Sequence, residues 1–292
     1  MRNFFMEVVG CSGAKHISRK ISEKMNANYS ELELKKFPDG EINIRFKKDL
    51  KNKNVLLIQS FYENINEKIV EILFAYYSAK DLGAKKIKLL ALYFPYFRQD
   101  KRFIKGQGIS IKSMSKIFCV FDKIFVVEPH LHRIKKIKQI LPHGKRISVI
   151  PLIANYFKNL KINDFIFVGP DSESSQWTKN VAKILKKEYF ILRKKRYGSR
   201  NVKIKLNKKI DIENKNIVII DDIISTGGTM LKTIKELKKL KPKQIYCVGI
   251  HGVFADKKIL EELEKEAKII STNTILSKLS KIDISDIAGE LK

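Results

Sequence analysis

The sequence predicts an α/β fold built from two tandem domains, each a mainly parallel sheet flanked by helices. Three observations carry this expectation. Short β-rich apolar runs alternate with amphipathic helical stretches along the chain, which is the pattern of βαβ units. Several runs are apolar at every position, as in Ile217–Ile220, and strands covered on both faces read that way. Two segments also repeat one order of strand, loop, helix and strand. "NVLLIQSFYENINEKIVEILFAYYSAKDLGAKKIKLLALYFPYF" starts at Asn54, and "NIVIIDDIISTGGTMLKTIKELKKLKPKQIYCVGIHGVF" starts at Asn216.

Taken in order, the expected strands are Phe5–Val9, Val55–Ile58, Ile87–Phe94, Ile124–Val127, Phe165–Val168, Ile217–Ile220 and Ile245–Ile250. The helical stretches are Glu67–Leu82, Trp177–Leu185 and Gly228–Leu240. Turn residues cluster near Gly144–Val149, which places a domain boundary there and gives domains 1–146 and 147–280.

Composition bounds the function. Apolar residues make up 44% and aromatics 10% of 292 residues, enough for two globular cores. No uncharged apolar stretch reaches the roughly 18 residues of a membrane span. The opening "MRNFFMEVVGCSGAKH" reads as a strand entering a turn and lacks a signal-peptide pattern, so a cytoplasmic location is expected. Cys11, Cys119 and Cys247 are scattered, which argues against a disulfide framework or structural zinc. Lys and Arg total 59 against 31 acids, a net charge of +28. The lysine pairs recur along the whole chain and form no arm or single patch, so small polyanionic substrates are expected and nucleic acid is not.

The most informative stretch is "IVIIDDIISTGGTM", Ile217–Met230. It sits between a strand's C-terminal end and a helix start, where α/β sheets bind ligands. The helix-start N–H groups and the hydroxyls of Ser225, Thr226 and Thr229 can donate to a phosphate, and Gly227 and Gly228 let the backbone approach it. No Gly-Lys-[Ser/Thr] follows, and the acids precede the glycines, so neither a Walker loop nor a dinucleotide fingerprint is present. Asp221 and Asp222 can accept from hydroxyls or hold a cation. A sugar phosphate fits this arrangement better than an acid pair that merely caps a helix.

This segment resembles the phosphoribosyl-pyrophosphate binding motif of the phosphoribosyltransferase fold. "YFPYFRQDKRF" (Tyr93–Phe103) offers aromatic faces for a base, Arg98 and Arg102 for phosphates and Gln99 for a base edge or hydroxyl, with Asp100 between them. It resembles the corresponding segment of ribose-phosphate diphosphokinases, and from there the resemblance spans nearly the whole chain. "FPDGE" resembles that family's ATP segment, which implies nucleotide contacts for Asp39, Gly40 and Glu41 and places Phe37 near adenine. "VVEPHLHRI" matches the metal-associated histidine at His130, and "FIFVGPDSESSQW" puts Asp171 in the second metal position. "ILRKKRYGSRN" places Lys194 and Arg196 in the catalytic Lys-x-Arg pair of a mobile flap. Departures occur at Lys105, Gln107, Gly108, Ser172, Glu173, Trp177, Arg193 and Ser225.

The resemblance implies two tandem phosphoribosyltransferase-type domains, with ATP on the N-terminal one and ribose 5-phosphate on the other. Residues 281–292 are expected to return to the first. The implied reaction is diphosphoryl transfer from ATP to ribose 5-phosphate, giving phosphoribosyl pyrophosphate and AMP, with Mg²⁺ as cofactor. A homo-oligomer sharing the ATP site between subunits is also implied. A phosphoribosyltransferase and a catalytically silent relative are the alternatives; the first has no need of the nucleotide segments.

Overall fold

The computed structural model describes residues 3–160, 162, 164–197, 201–205 and 211–291. The chain forms two compact units, Met1–Ser148 with Ser285–Lys292, and Val149–Ile284.

The first unit runs β1 (Asn3–Gly10), α1 (Lys15–Lys24), β2 (Ala27–Glu31), β3 (Glu33–Lys36), β4 (Ile42–Arg45), β5 (Asn54–Ser60), α2 (Ile65–Asp81), β6 (Lys86–Tyr93), α3 (Ser110–Phe118), β7 (Lys123–Val127) and β8 (Gly144–Ile147). Its parallel sheet has the order β2-β1-β5-β6-β7-β8, with β3 and β4 paired separately as a hairpin. The continuous apolar run of β5 is buried from Val55 to Ser60 because helices cover both faces. Helix α2 buries Ile69, Ile72, Ala75, Tyr76 and Ala79, a stripe at three- and four-residue spacing. It ends where Ala84 N–H bonds Ala79 O and Gly83 N–H bonds Lys80 O, both at 3.0 Å, the paired bonds of a Schellman stop. An aromatic group closes the core: the Phe118 ring lies 5.6 Å from Phe61 and 5.0 Å from Phe94.

The second unit continues with α4 (Ile150–Asn159), β9 (Phe165–Gly169), α5 (Ser175–Leu185), β10 (Tyr189–Ile191), β11 (Arg193–Tyr197), β12 (Asn201–Lys205), β13 (Asn216–Ile224), α6 (Gly228–Lys238), β14 (Gln244–Gly252), α7 (Lys257–Glu266), β15 (Lys268–Thr272) and β16 (Ser280–Ile282). Its parallel sheet has the order β10-β9-β13-β14-β15-β16, and β11 and β12 form an antiparallel hairpin. Both sheets therefore use one strand order, and each carries a hairpin between its second and third strands. The repeated segments are β5-α2-β6 and β13-α6-β14.

Two differences from the sequence reading matter. Strand β13 does not stop at Ile220 but runs to Ile224, because β14 supplies partners through Asp221↔Gly249, Ile223↔His251 and Ile224↔Gly252. Gly249 makes this fit possible: a Cβ there would lie 2.7 Å from Ile224 Cγ1. The short or lysine-bearing strands β2, β8, β10 and β15 carry too few apolar positions to stand out in sequence. Among the described residues no helix is long and apolar enough to cross a membrane.

Candidate active site

In the second unit the strand order reverses between β9 and β13, since β10 follows β9 on one side and the remaining strands extend on the other. The crevice beyond the C-terminal ends at such a reversal is the binding position of open α/β sheets. The Pro-Asp turn after β9 and the end of β13 both reach it.

Asp171 Oδ1 accepts the N–H groups of Glu173 at 3.1 Å and Ser174 at 3.2 Å, and the Ser174 hydroxyl returns to Asp171 O at 2.7 Å. This turn leads into α5, which Trp177 anchors in the core with 1% of its surface exposed. The atypical tryptophan thus serves packing beneath the turn.

The extension of β13 puts Asp221 and Asp222 inside a strand. Asp222 is buried and Asp221 partly so. Asp221 Oδ1 accepts Asp222 N–H at 3.0 Å, and Asp222 Oδ1 accepts Ile223 N–H at 2.8 Å. Burial, and then the charges of Asp222 and Asp171, push the Asp221 carboxyl well above its ordinary value. Hydroxyl donors at this strand end would relieve that cost.

The loop that follows is built as an anion cradle. Helix α6 starts with Leu231 N–H bonding Gly227 O at 2.9 Å, so the N–H groups of Gly228, Thr229 and Met230 have no acceptor within the helix. Its first turn carries no acid and no side-chain cap, which leaves the positive end of the helix dipole uncompensated. Gly227 has φ +88, a left-handed shape that favours glycine. The carbonyls of Ile224 and Ser225 are taken by Phe254 N–H at 3.0 Å and Ala255 N–H at 2.9 Å, which fixes the loop to the β14–α7 connection. Ser225 is partly exposed, and Thr226 and Thr229 are exposed.

The matching reversal in the first unit lies between β1 and β5, and the protein's own side chains fill it. Glu71 accepts Ser12 N–H at 2.8 Å, Ser12 Oγ at 2.5 Å and Gln59 Nε2 at 2.9 Å. Gln59 Oε1 takes Gly13 N–H at 2.8 Å. No motif marked Glu71 in the sequence; it reads there as one more helical acid.

The remaining first-unit residues lie on two loops and a hairpin tip. Phe37–Glu41 is the exposed tip between β3 and β4, closed by Phe37 N–H to Glu41 O at 2.8 Å and Glu41 N–H to Asp39 Oδ1 at 3.1 Å, with Gly40 at φ +95. After β6, Phe94 and Phe97 turn inward and meet edge to face in the core at 5.3 Å, so they are not available as faces for a base. Phe103 stays 56% exposed, with Lys101 Nζ 5.0 Å over its ring. Arg98 is exposed, and Gln99 Oε1 accepts from Ser110 Oγ at 2.5 Å. Arg102 Nε donates to Gln107 O at 3.0 Å, and Gln107 Oε1 accepts Phe103 N–H at 3.0 Å, a structural use for the departing residue. Asp100 is committed to an ion pair with Arg133 at 2.8 Å. His130 follows β7, its ring 6.3 Å from that of His132.

Lys194 and Arg196 lie in β11, in register with Ile204 and Val202 of β12; their side chains are outside the described residues. Among the described residues no group of three or more His, Cys, Asp or Glu side chains is arranged to hold a metal ion.

Comparison with known proteins adds the following. Residues 6–121 match the family profile "N-terminal domain of ribose phosphate pyrophosphokinase", and residues 136–283 match the "Phosphoribosyl transferase domain". A ribose-phosphate pyrophosphokinase of Pyrococcus abyssi is 36% identical, covering 97% of both chains. One of Thermoplasma acidophilum is 30% identical over 97% of this chain and 96% of its own. The crystal structure of phosphoribosylpyrophosphate synthetase from Mycobacterium smegmatis has the same fold, with a TM-score of 0.83 over 98% of this chain and 97% of that one at 20% identity.

Proposed function

The chain belongs to the ribose-phosphate pyrophosphokinase family, and from that premise we propose that it transfers the β,γ-diphosphoryl group of ATP to the C1 hydroxyl of ribose 5-phosphate. The observation that most supports this reading is the run of β13 through Asp221 and Asp222 into an uncapped, acid-free helix start. Such a site suits a ligand with hydroxyls at one end and a phosphate at the other.

In the proposed reaction the C1 hydroxyl oxygen attacks the β-phosphorus in line and gives up its proton to solvent, the bond from that phosphorus to the α-phosphate oxygen breaks, and AMP leaves. The protein has little covalent chemistry to perform, so positioning and charge neutralisation carry the rate. Ser225, Thr226, Gly227, Gly228 and Thr229 hold the 5-phosphate, and Asp221 accepts from the ribose hydroxyls. Asp222, buried beneath, fixes the strand end. Arg98, Gln99 and Arg102 bind the ATP phosphates and base edge, and Phe37, Asp39, Gly40 and Glu41 present a nucleotide-binding tip. Lys194 and Arg196 donate to the transferring group.

Mg²⁺ suits the donor chemistry: a hard cation prefers carboxylate oxygens and takes one or two of them together with substrate phosphates, without a closed protein cage. His130 of the first unit and Asp171 of the second are each taken to contact bound Mg²⁺, which would offset the triphosphate charge. The burial and neighbouring acid charges that raise the Asp221 carboxyl would be eased by a cation nearby. A homo-oligomer in which a neighbour's Phe37–Glu41 tip completes the ATP site belongs to the same proposal.

Incubation of the pure protein with ATP, Mg²⁺ and ribose 5-phosphate tests it. AMP that forms only when the sugar is present is the expected result. Absence of AMP with and without inorganic phosphate would make this a catalytically silent relative.

A further inference from the structure

The loop that carries His130 is pinned at both ends. At its start, Glu128 has φ +36, a left-handed shape that a non-glycine residue rarely adopts. Pro129 follows, and a residue before proline is normally extended, so the shape is doubly disfavoured. The surroundings overdetermine it. Glu128 is 0% exposed, its Oε2 accepts Arg146 Nε at 3.0 Å and also Arg146 Nη2, and its Oε1 accepts Ser148 Oγ at 2.6 Å. Its N–H donates to Ile147 O at 3.0 Å. A buried carboxylate with this many donors cannot leave without stranding them.

At the far end Arg133 Nη1 donates to Asp100 Oδ1 at 2.8 Å; the Asp100 side chain is 2% exposed and that of Arg133 42%. The Arg133 guanidinium also lies 6.0 Å from the centre of the Phe103 ring. Asp100 sits in the Arg-Gln-Asp segment after β6, so this pair ties two of the candidate nucleotide-binding loops together.

Backbone strain held by buried ion pairs is found where one side chain must be presented in one geometry. We propose that Glu128, Arg133 and Asp100 are positioning residues that hold the Glu128–Arg133 loop and fix the orientation of the His130 imidazole. Asp100 acts through Arg133 and does not itself touch the nucleotide. The proposal rests on the reading of His130 as a contact for Mg²⁺–ATP.

The test uses imidazole NMR of the ligand-free, full-length protein, with the His130 signal identified by its loss in His130→Gln. Arg133→Ala is expected to shift or split that signal while the other histidines stay unchanged, and Arg133→Lys to restore it. In turnover, Arg133→Ala and Asp100→Asn are expected to lower kcat about tenfold and to raise the Mg²⁺ concentration for half-maximal rate, with KM for ribose 5-phosphate unchanged. Glu128→Gln should do the same; if it fails to fold, the more exposed Arg133 variants carry the test. An unmoved His130 signal with unchanged kinetics in Arg133→Ala overturns the proposal. So does an Asp100→Asn effect confined to KM for ATP, the mark of a direct contact. A protein that makes no AMP would refute the proposed reaction, and the NMR would still decide the role of the loop.

Discussion

Leu263 Cδ1 lies 2.7 Å from the point that a Cβ of Gly227 would occupy, so α7 closes the back of the Ser225–Thr229 loop by occupying the space of a missing side chain. At Gly228 the nearest atom to such a Cβ is Thr226 Oγ1 at 4.0 Å. Adjacent glycines therefore serve different ends. Gly227→Ala meets both a clash and a left-handed φ and should cost about 2 kcal/mol of stability. Gly228→Ala should leave the melting temperature within a degree or two and raise KM for ribose 5-phosphate. Thermal melting and substrate titration of the two variants separate these effects; equal melting temperatures would contradict the packing argument.

The Asp221 carboxyl gives a pH-dependent prediction. Its folded-state value lies above the ordinary 3.8, raised by burial and by the charges of Asp222 and Asp171. The folded chain thus holds the proton more tightly than the unfolded one. The associated stability is complete below about 3.8 and is lost as pH rises through the folded value. At neutral pH the ionised group is a cost, and Asp221→Asn should melt higher than the parent in the absence of Mg²⁺. The gap should close as pH falls toward 4. The same variant should bind ribose 5-phosphate about tenfold more weakly, because a charged acceptor contributes ~1.5 kcal/mol or more. A variant that melts no higher at pH 7.5 would show that the acids are not in conflict.

Glu71 seals the crevice of the first unit, with Ser12 N–H, Ser12 Oγ and Gln59 Nε2 all directed to it. Glu71→Ala strands these donors and should destabilise the first unit by roughly 3 kcal/mol. Urea denaturation reads the loss. KM for ribose 5-phosphate should not move, since the cradle proposed for that substrate belongs to the other unit; a rise in that KM would mean that the sealed crevice takes substrate.

Lys194→Ala should lower turnover by orders of magnitude with little change in substrate affinity, because a donor that meets charge developing in the transition state is worth a few kcal/mol in a dry site. Single-turnover measurements with saturating ATP and ribose 5-phosphate check this. Turnover near that of the parent would remove the Lys-x-Arg pair from the mechanism.

The legible parts of this protein are those whose physics is local. Fully apolar runs such as Val55–Ile58 announced the central strands, and the hydroxyl–Gly-Gly stretch announced a helix start with free N–H groups. Less was legible where partners come from far away. Nothing near Ile220 signals that β14 will prolong its strand through both aspartates, because the permissive residue is Gly249. Phe94 and Phe97 looked like binding faces until Phe118 and Phe61 were seen to enclose them. The Glu128–Arg146 and Asp100–Arg133 pairs join residues whose charges are ordinary in a chain this rich in lysine and arginine. Only the fold distinguishes them from surface ions.

The last stretch of the chain carries a consequence for biosynthesis. Ser285–Glu290 packs on α1, Asp286 pairs with Lys24, Glu290 O accepts Lys145 Nζ at 2.9 Å, and Ile287, Ala288 and Leu291 are buried. A ribosome making this polypeptide releases Met1–Ser148 first, yet that half lacks its closing piece until Val149–Ile284 has been translated. Domains generally mature from the N-terminus during synthesis; here the N-terminal unit includes the last stretch, and a nascent chain stalled before Ser285 would be left with its older half unfinished.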